Sequence, residues 1–428
     1  LSSTPYVKPP AKVTVDSLNI SNISLNKLDN FTRAYVLGKL NFKKQKRVSY
    51  NDLKIGIDRL SATQNFSGIS YTILTDPLGG DELHMNLVEN PIKTYLKFGV
   101  HYDGLYKTGV LGNITQKNLL FKNDVVSFDL ILGDNFRYNL DYYIDNGFYF
   151  SLGFKSRYNR FNRNVGTDFS NGELLSDLGL NSINIDFTDF TNQAYVQSVF
   201  VQKFLVGAGL EIKHLKIKSE TLQNTTPVFE NSTYASLFGY LKYDSFDNRY
   251  FPKKGWYFSG DFQYYMSSTD YTGLFNKFSI AKADTGIAQT FYKKFTIKLQ
   301  SELGFVIGEE SVPFFDFILG GYGFQTINNI RQFYGYDFLS LSGNSYLKGA
   351  ATIDYEIFKK NHLNFSANLA SISDNLFEKT EWFSENQKYT GYAIGYGLET
   401  IVGPLEIKYT WSPELPRGYT WFSIGFWF

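Results

Sequence analysis

Cysteine and histidine, which often supply metal ligands and nucleophiles, contribute little chemistry to this chain of 428 residues. The absence of cysteine excludes disulfides, iron–sulfur clusters and thiol catalysis. No two of the four histidines have the spacing of metal ligands. They are His84, His101, His214 and His362. We therefore predict no metal site and no cofactor.

A serine nucleophile is equally unsupported, because the G-x-S-x-G pattern of α/β hydrolases does not occur. Ser342 precedes a glycine, but it lies in the segment LSLSGNS, which we interpret as a loop. Three nearby glycines lack the Lys-Ser/Thr pair of a phosphate-binding loop, so we assign them to backbone packing. They are Gly320, Gly321 and Gly323. The residues present predict no enzyme.

The charge balance predicts no nucleic-acid partner. The chain has 42 Lys+Arg and 41 Asp+Glu, for a formal net charge of +1, whereas nucleic-acid binding proteins usually carry a basic surface. The basic run at residues 43–47 is typical of a solvated face. Its alternative is contact with anionic lipid or a partner.

The aromatic content suggests that much of the surface does not face water. Forty Phe, 32 Tyr and 5 Trp make up 18% of the chain, and only 19% is charged. A membrane helix needs about 20 consecutive apolar residues, and no such run occurs. The remaining structure that satisfies its backbone in lipid is a closed β-barrel. A mean hydropathy of −0.24 fits a barrel with a polar inner wall.

Residues 91–428 alternate between apolar and polar side chains almost throughout, which is typical of strands with two different faces. One example is Leu96, Phe98, Val100 and Tyr102 against Lys97, Gly99, His101 and Asp103. A soluble sandwich or propeller also alternates. Here the segments are about ten residues long and have aromatic residues near their ends, which favours membrane-spanning strands over a soluble sheet. The inward charges predicted by this pattern either line a conduit or pair with one another; they are Lys97, Asp129, Lys155, Lys298 and Glu302.

The strand number follows from length. Residues 93–428 allow about 21 residues for each strand and link if there are sixteen strands. Fourteen or eighteen strands fit nearly as well. Long polar links are expected at residues 159–192, 216–233, 308–348 and 374–388. The third is rich in Gly, Phe and Tyr, so we expect it inside the barrel.

The N-terminal region has a different pattern. Residues 1–12 contain three prolines and are expected to form a linker. Residues 13–91 then predict a small β-α-α-β-β domain, with a strand at 13–20 and a helix at 28–40. Ser49 and Asp52 form a capping-box-like start for the second helix. The last two strands form a hairpin around residues 77–80.

Two motifs stand out in the alternating region. In YDSFDNRYFPKKG, residues 243–255, Pro252 and Gly255 predict a tight turn. Asp244, Asp247 and Asn248 are placed to hydrogen-bond the backbone there. The second motif, INNIRQFYGYDF at residues 327–338, lies in the Gly-rich link.

These motifs resemble the POTRA-barrel superfamily, whose members include BamA, TamA, the transporter FhaC and barrel-anchored patatin-like phospholipases. Residues 243–255 are similar to its D-x-x-D-N…P-x-x-G signature. Residues 327–338 resemble its V/I-R-G-F/Y lumen-loop motif, with matches at Ile330, Arg331, Phe333 and Gly335. Gln332 stands where glycine is usual, which leaves the local turn geometry open.

The resemblance implies roles for several residues. A lumen arginine needs a carboxylate partner, and the family places that partner on strands soon after the loop. The candidates are Asp354, Glu356 and Asp374. Residues 395–411 resemble the penultimate strand pair. The end of the chain resembles an insertion signal read by barrel assembly machinery, formed by Phe422, Ile424, Gly425, Phe426 and Phe428.

The resemblance also implies an outer-membrane protein, with one periplasmic POTRA domain and a barrel at residues 92–428. A single POTRA before the barrel is typical of patatin-like phospholipases, whose lipase domain would precede Leu1. The expected function is to anchor or translocate such a passenger, with the POTRA binding extended polypeptide by strand addition. The alternatives are an assembly factor of the BamA or TamA kind, with a weak seam between first and last strands, and a passive pore. Expected partners are membrane lipid, the assembly machinery and a polypeptide.

The aromatic residues of the Gly-rich link are not explained by lipid. We expect all five inside the barrel beside Arg331. They are Phe324, Phe333, Tyr334, Tyr336 and Phe338.

Overall fold

The structure, a computed structural model, forms two compact units. It describes residues 17–41, 47–75, 80–147, 150–166, 176–177, 179–200, 204–219, 221, 228–270, 275–308, 312–377 and 387–426. The first unit comprises residues 1–93, 117–124 and 144–150. The second comprises residues 94–116, 125–143 and 151–428.

The first unit contains a four-stranded sheet and two helices. Its elements are β1 (Ser17–Leu25), α1 (Arg33–Leu40), β2 (Arg47–Ser49), α2 (Tyr50–Ala62), β3 (Phe66–Thr75) and β4 (Asp81–Glu89). The strand order is β2-β1-β4-β3, with β1 parallel to β4. The predicted β-α-α-β-β order is present, with the short strand β2 in addition. Residues 13–16 of the predicted first strand lie outside the described part of the chain.

Local chemistry sets where the helices begin. Ser49 caps α2 by accepting a hydrogen bond from the Asp52 backbone N–H at 3.0 Å, as the capping pattern predicts. The helix predicted from residue 28 begins only at Arg33. The Glu89 carboxylate accepts the Asn30 backbone N–H at 2.9 Å, which holds this segment outside the helix. Both helices pack on the sheet through apolar residues that include Val36, Leu53 and Leu83.

The second unit contains a closed antiparallel barrel of sixteen strands, which confirms the predicted fold class. The strands before the long inner loop are β5 (Thr94–Asp103), β6 (Lys107–Lys117), β7 (Asp124–Gly133), β8 (Arg137–Ile144), β9 (Ser151–Val165), β10 (Ile183–Phe200), β11 (Phe204–Lys218), β12 (Val228–Asp244), β13 (Lys254–Ser268), β14 (Phe278–Phe291) and β15 (Phe295–Ile307). Those after it are β19 (Ser345–Phe358), β20 (Asn361–Ser373), β21 (Lys388–Thr400), β22 (Gly403–Trp411) and β23 (Tyr419–Ile424).

Three short strands lie between β15 and β19. They are β16 (Phe317–Leu319), β17 (Ile330–Arg331) and β18 (Leu341–Gly343), and they form a separate sheet in the order β17-β16-β18. A 3₁₀ turn, Pro313–Phe315, precedes them. We call residues 308–344 the lumen loop. Because the barrel strands alternate in direction, the long links leave at one rim, the loop rim. β5 begins at the opposite rim, the turn rim.

Two predicted links are partly strand. β9 and β10 cover half of residues 159–192, and β11 and β12 cover half of residues 216–233. Crossing a bilayer takes about 9 to 11 residues, and β10 has 18. The alternation that marks a lipid-facing strand is lost in such extensions, which is why the sequence suggested links there.

The two faces of the barrel differ as the alternation predicts. The outward residue Phe98 is 81% exposed and Leu96 is 63% exposed, as expected for side chains that face acyl chains. The inward Glu302 instead binds Lys348 Nζ at 2.6 Å. Within the described ranges, neither helix is long and apolar enough to cross a membrane.

Candidate functional site: the seam and the lumen loop

The barrel closes between its first and last strands through very little backbone pairing. In the described chain, the ladder between β23 and β5 consists of one register pair, Ile424 opposite Tyr102. Neighbouring strands share much longer ladders, such as the one from Phe204 to Lys218 between β11 and β12. Outside the ladder, the Tyr102 and Phe422 rings also lie 5.8 Å apart. We call this junction the seam.

The ladder stops at Gly425, where the backbone leaves the extended strand conformation while it still lies against β5. Gly425 has φ +95°, and its N–H donates to the Pro404 carbonyl at 2.9 Å on the β22 side. A Cβ at this position would lie 1.9 Å from the Val100 carbonyl oxygen of β5, so only glycine fits. Of the predicted insertion signal, Phe422 and Phe426 are exposed, and Phe428 lies outside the described residues.

The lumen loop folds back against the inner wall. Four of its five predicted aromatics are buried, namely Phe324, Phe333, Tyr336 and Phe338, and Tyr334 is half-buried. They belong to an apolar core that also includes wall residues such as Phe161, Phe187 and Tyr265. The interior near the loop rim is therefore filled by packed side chains.

Arg331 is buried, and its acidic partner differs from the candidates. Its Nη1 lies 3.4 Å from Asp284 Oδ2 on β14, a strand that precedes the loop. The expectation of a partner after the loop was wrong, because β17 crosses the lumen toward earlier strands. The three candidates have other contacts: Asp354 with His362, Glu356 with Lys253, and Asp374 with the Asn344 N–H.

Backbone contacts fix the loop on the strands that follow it. Lys348 Nζ donates to the Gln332 carbonyl at 2.9 Å, and the Tyr334 N–H donates to Asn368 Oδ1 at 2.8 Å. The Gln332 amide also donates to the Phe324 carbonyl. The φ of Gln332 is not positive, and the left-handed backbone conformation falls instead at Gly335, with φ +85°. The substitution at 332 is thus accommodated.

The loop also contacts the last two strands. The Tyr322 hydroxyl donates to Glu406 at 3.0 Å and accepts from Lys408 at 2.9 Å, both on β22. The Tyr336 hydroxyl approaches Glu414, in the link to β23, at 3.4 Å. These contacts join the loop to the hairpin that ends at the seam.

Phe338 contacts both sides of the seam. Its ring meets Trp421 of β23 edge-on at 4.8 Å, and a Cβ on Gly104, at the turn after β5, would lie 3.0 Å from its Cζ. Arg163 covers the ring at 4.4 Å and donates to the Gly104 carbonyl at 2.7 Å. Sequence reasoning placed Phe338 inside the barrel but missed this role. Side-chain packing thus supplements a ladder of one residue pair.

At the turn rim, residues 245–253 cross the lumen rather than forming the predicted tight turn; we call them the cross-lumen turn. Asp247 Oδ1 accepts the Lys253 N–H at 2.8 Å, and Asn248 Oδ1 accepts the Tyr250 N–H at 2.9 Å. Asp244 accepts the Phe246 N–H in the same way. The motif's acidic and amide groups thus hold the turn's own backbone.

The cross-lumen turn reaches strands far from its own. Phe251 stacks on His362 of β20 at 4.2 Å, and Lys253 binds Glu356 of β19 at 2.6 Å. Pro252 is buried, and Gly255 has φ +111° where a Cβ would meet the Ser245 carbonyl. The turn therefore obstructs the lumen at this rim.

The remaining space in the lumen is divided. A polar cavity of about 670 Å³ and a second of about 260 Å³ both border Thr326, Asp284 and Arg331. The loop thus lies between them. Within the described ranges, no group of three or more His, Asp or Glu side chains is placed to hold a metal ion.

A closed sixteen-stranded barrel with exposed apolar side chains on its outer face is the architecture of a membrane-spanning β-barrel protein. Residues 81–428 match the family model of the OMP85 superfamily. The chain therefore belongs to the OMP85 superfamily, and it is an outer-membrane barrel. No curated protein matches it.

Two solved structures share the fold. BamA from Haemophilus ducreyi lacking POTRA domains 1–3 matches with a TM-score of 0.68 at 13% identity, over 95% of this chain and 84% of that chain. CdiB from Acinetobacter baumannii matches with a TM-score of 0.59 at 14% identity, over 95% of this chain and 74% of that chain. At these identities the likeness is one of fold.

Arg331→Ala should destabilise the barrel by about 1.5 to 3 kcal/mol, because it removes a buried guanidinium that pairs with the half-buried Asp284. The measurement is denaturant unfolding, monitored by the mobility of unheated samples on gels. Lys242→Ala is the control, since both side chains of its pair with Asp261 are exposed, at 47% and 37%, and such a pair should contribute at most about 1 kcal/mol. Equal effects of the two variants would contradict the role of Arg331.

Phe338→Ala should weaken closure of the seam, because it removes the ring that contacts both of its sides. The chain has no native cysteine, so Tyr102→Cys with Ile424→Cys reports closure through the rate of disulfide formation. We expect slower crosslinking in the Phe338→Ala background. Phe317→Ala, an equally buried ring of the same loop that packs on Tyr346, should crosslink at the original rate. The same rate in both would contradict the role of Phe338.

The lumen loop should be more stable in acid than in base. Burial, and to a lesser extent the Asp374 carboxylate, raises the pKa of Asp316 from 3.8 to about 7. A carboxyl group whose pKa is higher in the folded state than in the unfolded chain stabilises the folded state fully at pH values below the unfolded pKa. This stabilisation is lost as the pH rises through about 7. The temperature at which the folded gel band converts to the unfolded band should be higher at about pH 5 than at about pH 8. Asp316→Asn should shrink that difference; an unchanged difference argues against Asp316.

Proposed function

We propose that this protein inserts or translocates polypeptide at the outer membrane and that the seam is the working site. The observation that carries the proposal is that the residues described up to Phe426 form a single register pair between β23 and β5. A strand edge with few ladder partners in lipid is unstable, and it can be satisfied by pairing with another extended strand. An assembly factor of the BamA kind requires such an edge.

The lumen offers no comparable route. At the loop rim it contains a packed apolar core, and at the turn rim the cross-lumen turn contacts β19 and β20. A passive pore would need a lumen free of both segments. Separating one residue pair at the seam disrupts far less structure, which favours the seam over the pore.

The N-terminal sheet would supply the first contact with polypeptide. We interpret this unit as a POTRA domain located in the periplasm. Its edge strand β3 runs from Phe66 to Thr75, and Tyr71 and Leu74 on it are 43% and 55% exposed. An extended peptide could add to this edge through backbone hydrogen bonds, with side chains seated on those residues. The partner would be an unfolded membrane or secreted polypeptide.

The membrane part of a patatin-like phospholipase, our first expectation from sequence, is the narrower alternative. It rests on the single α+β domain and requires only anchoring. Anchoring gives no reason for a barrel to close through one residue pair, so the assembly proposal accounts for more of the geometry.

Locking the seam should abolish the proposed activity. With Tyr102→Cys and Ile424→Cys oxidised in proteoliposomes, we expect a urea-unfolded outer-membrane barrel to fold no faster than in empty liposomes, and reductant should restore the acceleration. Ile287→Cys with Leu299→Cys is the control, because it crosslinks β14 and β15 at a pair that a full ladder already joins. Full activity of the oxidised seam variant would overturn the proposal.

A further inference from the structure

The seam borders a cavity whose walls belong to both faces of the barrel. Its volume is about 480 Å³, and it is lined by Lys97, Phe98, Leu111, Asn113, Ser127, Asp129, Arg249, Tyr250 and Phe426. Lys97 is opposite Asn113 in the ladder, and Asn113 binds Asp129 across the inner wall at 2.6 Å. Lys97 therefore faces the lumen.

Phe98, the next residue, faces the other way and is 81% exposed. One cavity can border inward Lys97 and outward Phe98 only by passing around the edge of β5. That edge lies on the seam side, where the ladder to β23, as far as the described residues extend, contains only the pair at Tyr102. The cavity is thus a lateral window between lumen and lipid; we call it the seam window.

The seam window carries an excess of positive charge. Neither Lys97 nor Arg249 has a carboxylate oxygen within 4.0 Å in the part of the chain that the structure describes, and both are exposed. The one carboxylate that lines the window, Asp129, accepts from the amides of Asn113 and Asn139 at 2.6 and 3.2 Å. Two basic groups remain to interact with an anion.

The apolar side of the window is aromatic. Tyr250 of the cross-lumen turn lies 6.2 Å from Phe426, and Phe98 is directed to the lipid. Lys97 is three residues from the start of β5, about 10 Å along the strand from the turn rim. Lys97 lies in the half of the ten-residue strand next to the turn rim, and a lysine side chain can extend toward the interface at that rim.

We propose that the seam window binds one anionic phospholipid. Lys97 and Arg249 would contact the headgroup phosphate, which suits lysine and especially arginine. The acyl chains would remain outside against Phe98 and Phe426. Such a lipid would cover the part of the β5 edge that the ladder to β23 does not reach. The assignment depends on the seam geometry and not on polypeptide handling.

Native mass spectrometry of the full chain in uncharged detergent tests the proposal, with no polypeptide substrate present. The probes are phosphatidylglycerol and phosphatidylcholine with identical acyl chains. We expect one phosphatidylglycerol to be retained about tenfold more tightly than phosphatidylcholine, since each basic residue favours anionic lipid. Lys97→Gln with Arg249→Gln should remove the preference.

Matched variants separate the contributions. Lys254→Gln removes a charge from an exposed residue at the start of β13, at the same rim, and should keep the preference. Phe98→Ala should weaken the binding of both lipids equally. Unheated gel mobility verifies that each variant is folded.

Three outcomes would overturn the proposal: equal retention of both lipids by the wild type, an unchanged preference in the double variant, or displacement of phosphatidylglycerol by inorganic phosphate, which would indicate a site for small anions. A failed lipid test leaves the seam-locking result unaffected, and the reverse also holds.

Discussion

The need to satisfy every backbone N–H and C=O group in lipid is the constraint on which this structure depends. In the described part of the chain, twelve junctions of the barrel meet it with ladders of six or more register pairs, whereas the junction between β23 and β5 has one pair. The last strand has only six residues, and Gly425, with its positive φ, lies against Val100 of β5 without extending the ladder. The barrel is closed in shape but weak at one place, and that place borders both lumen and lipid.

Other parts of the molecule make the weak junction tolerable. The lumen loop is held at Asp284 by Arg331 and on β22 by Tyr322, so that Phe338 is positioned between Trp421 and Gly104. Side-chain packing can rearrange without exposing a long row of backbone groups. A junction held in this way can open at a smaller cost than one held by a full ladder, which is the property that the proposed function requires.

The two ends of the lumen are obstructed by different means. At the loop rim the obstruction is a buried apolar core that includes many aromatic rings. At the turn rim it is a short segment held by Asp247 and Asn248 and by contacts to distant strands. The seam window lies beside the second of these, through Arg249 and Tyr250. The two motifs that resemble the POTRA-barrel superfamily thus both have residues near the seam, although the barrel strands β13, β14 and β15 separate them in sequence.

Local pattern determined much of this protein. Period-two alternation and the lack of long apolar runs predicted the barrel, and the Ser49 cap predicted the start of α2. The aromatic content of the lumen loop predicted that the loop is buried. Each of these features depends on residues close in sequence. The partner of Arg331, the path of the cross-lumen turn and the shortness of the seam were decided only by tertiary structure. Asp284 and Asp354 both alternate on barrel strands, and which of them meets Arg331 depends on how the loop crosses the lumen. Closure joins residues 102 and 424, and no local pattern encodes a register set by the whole barrel.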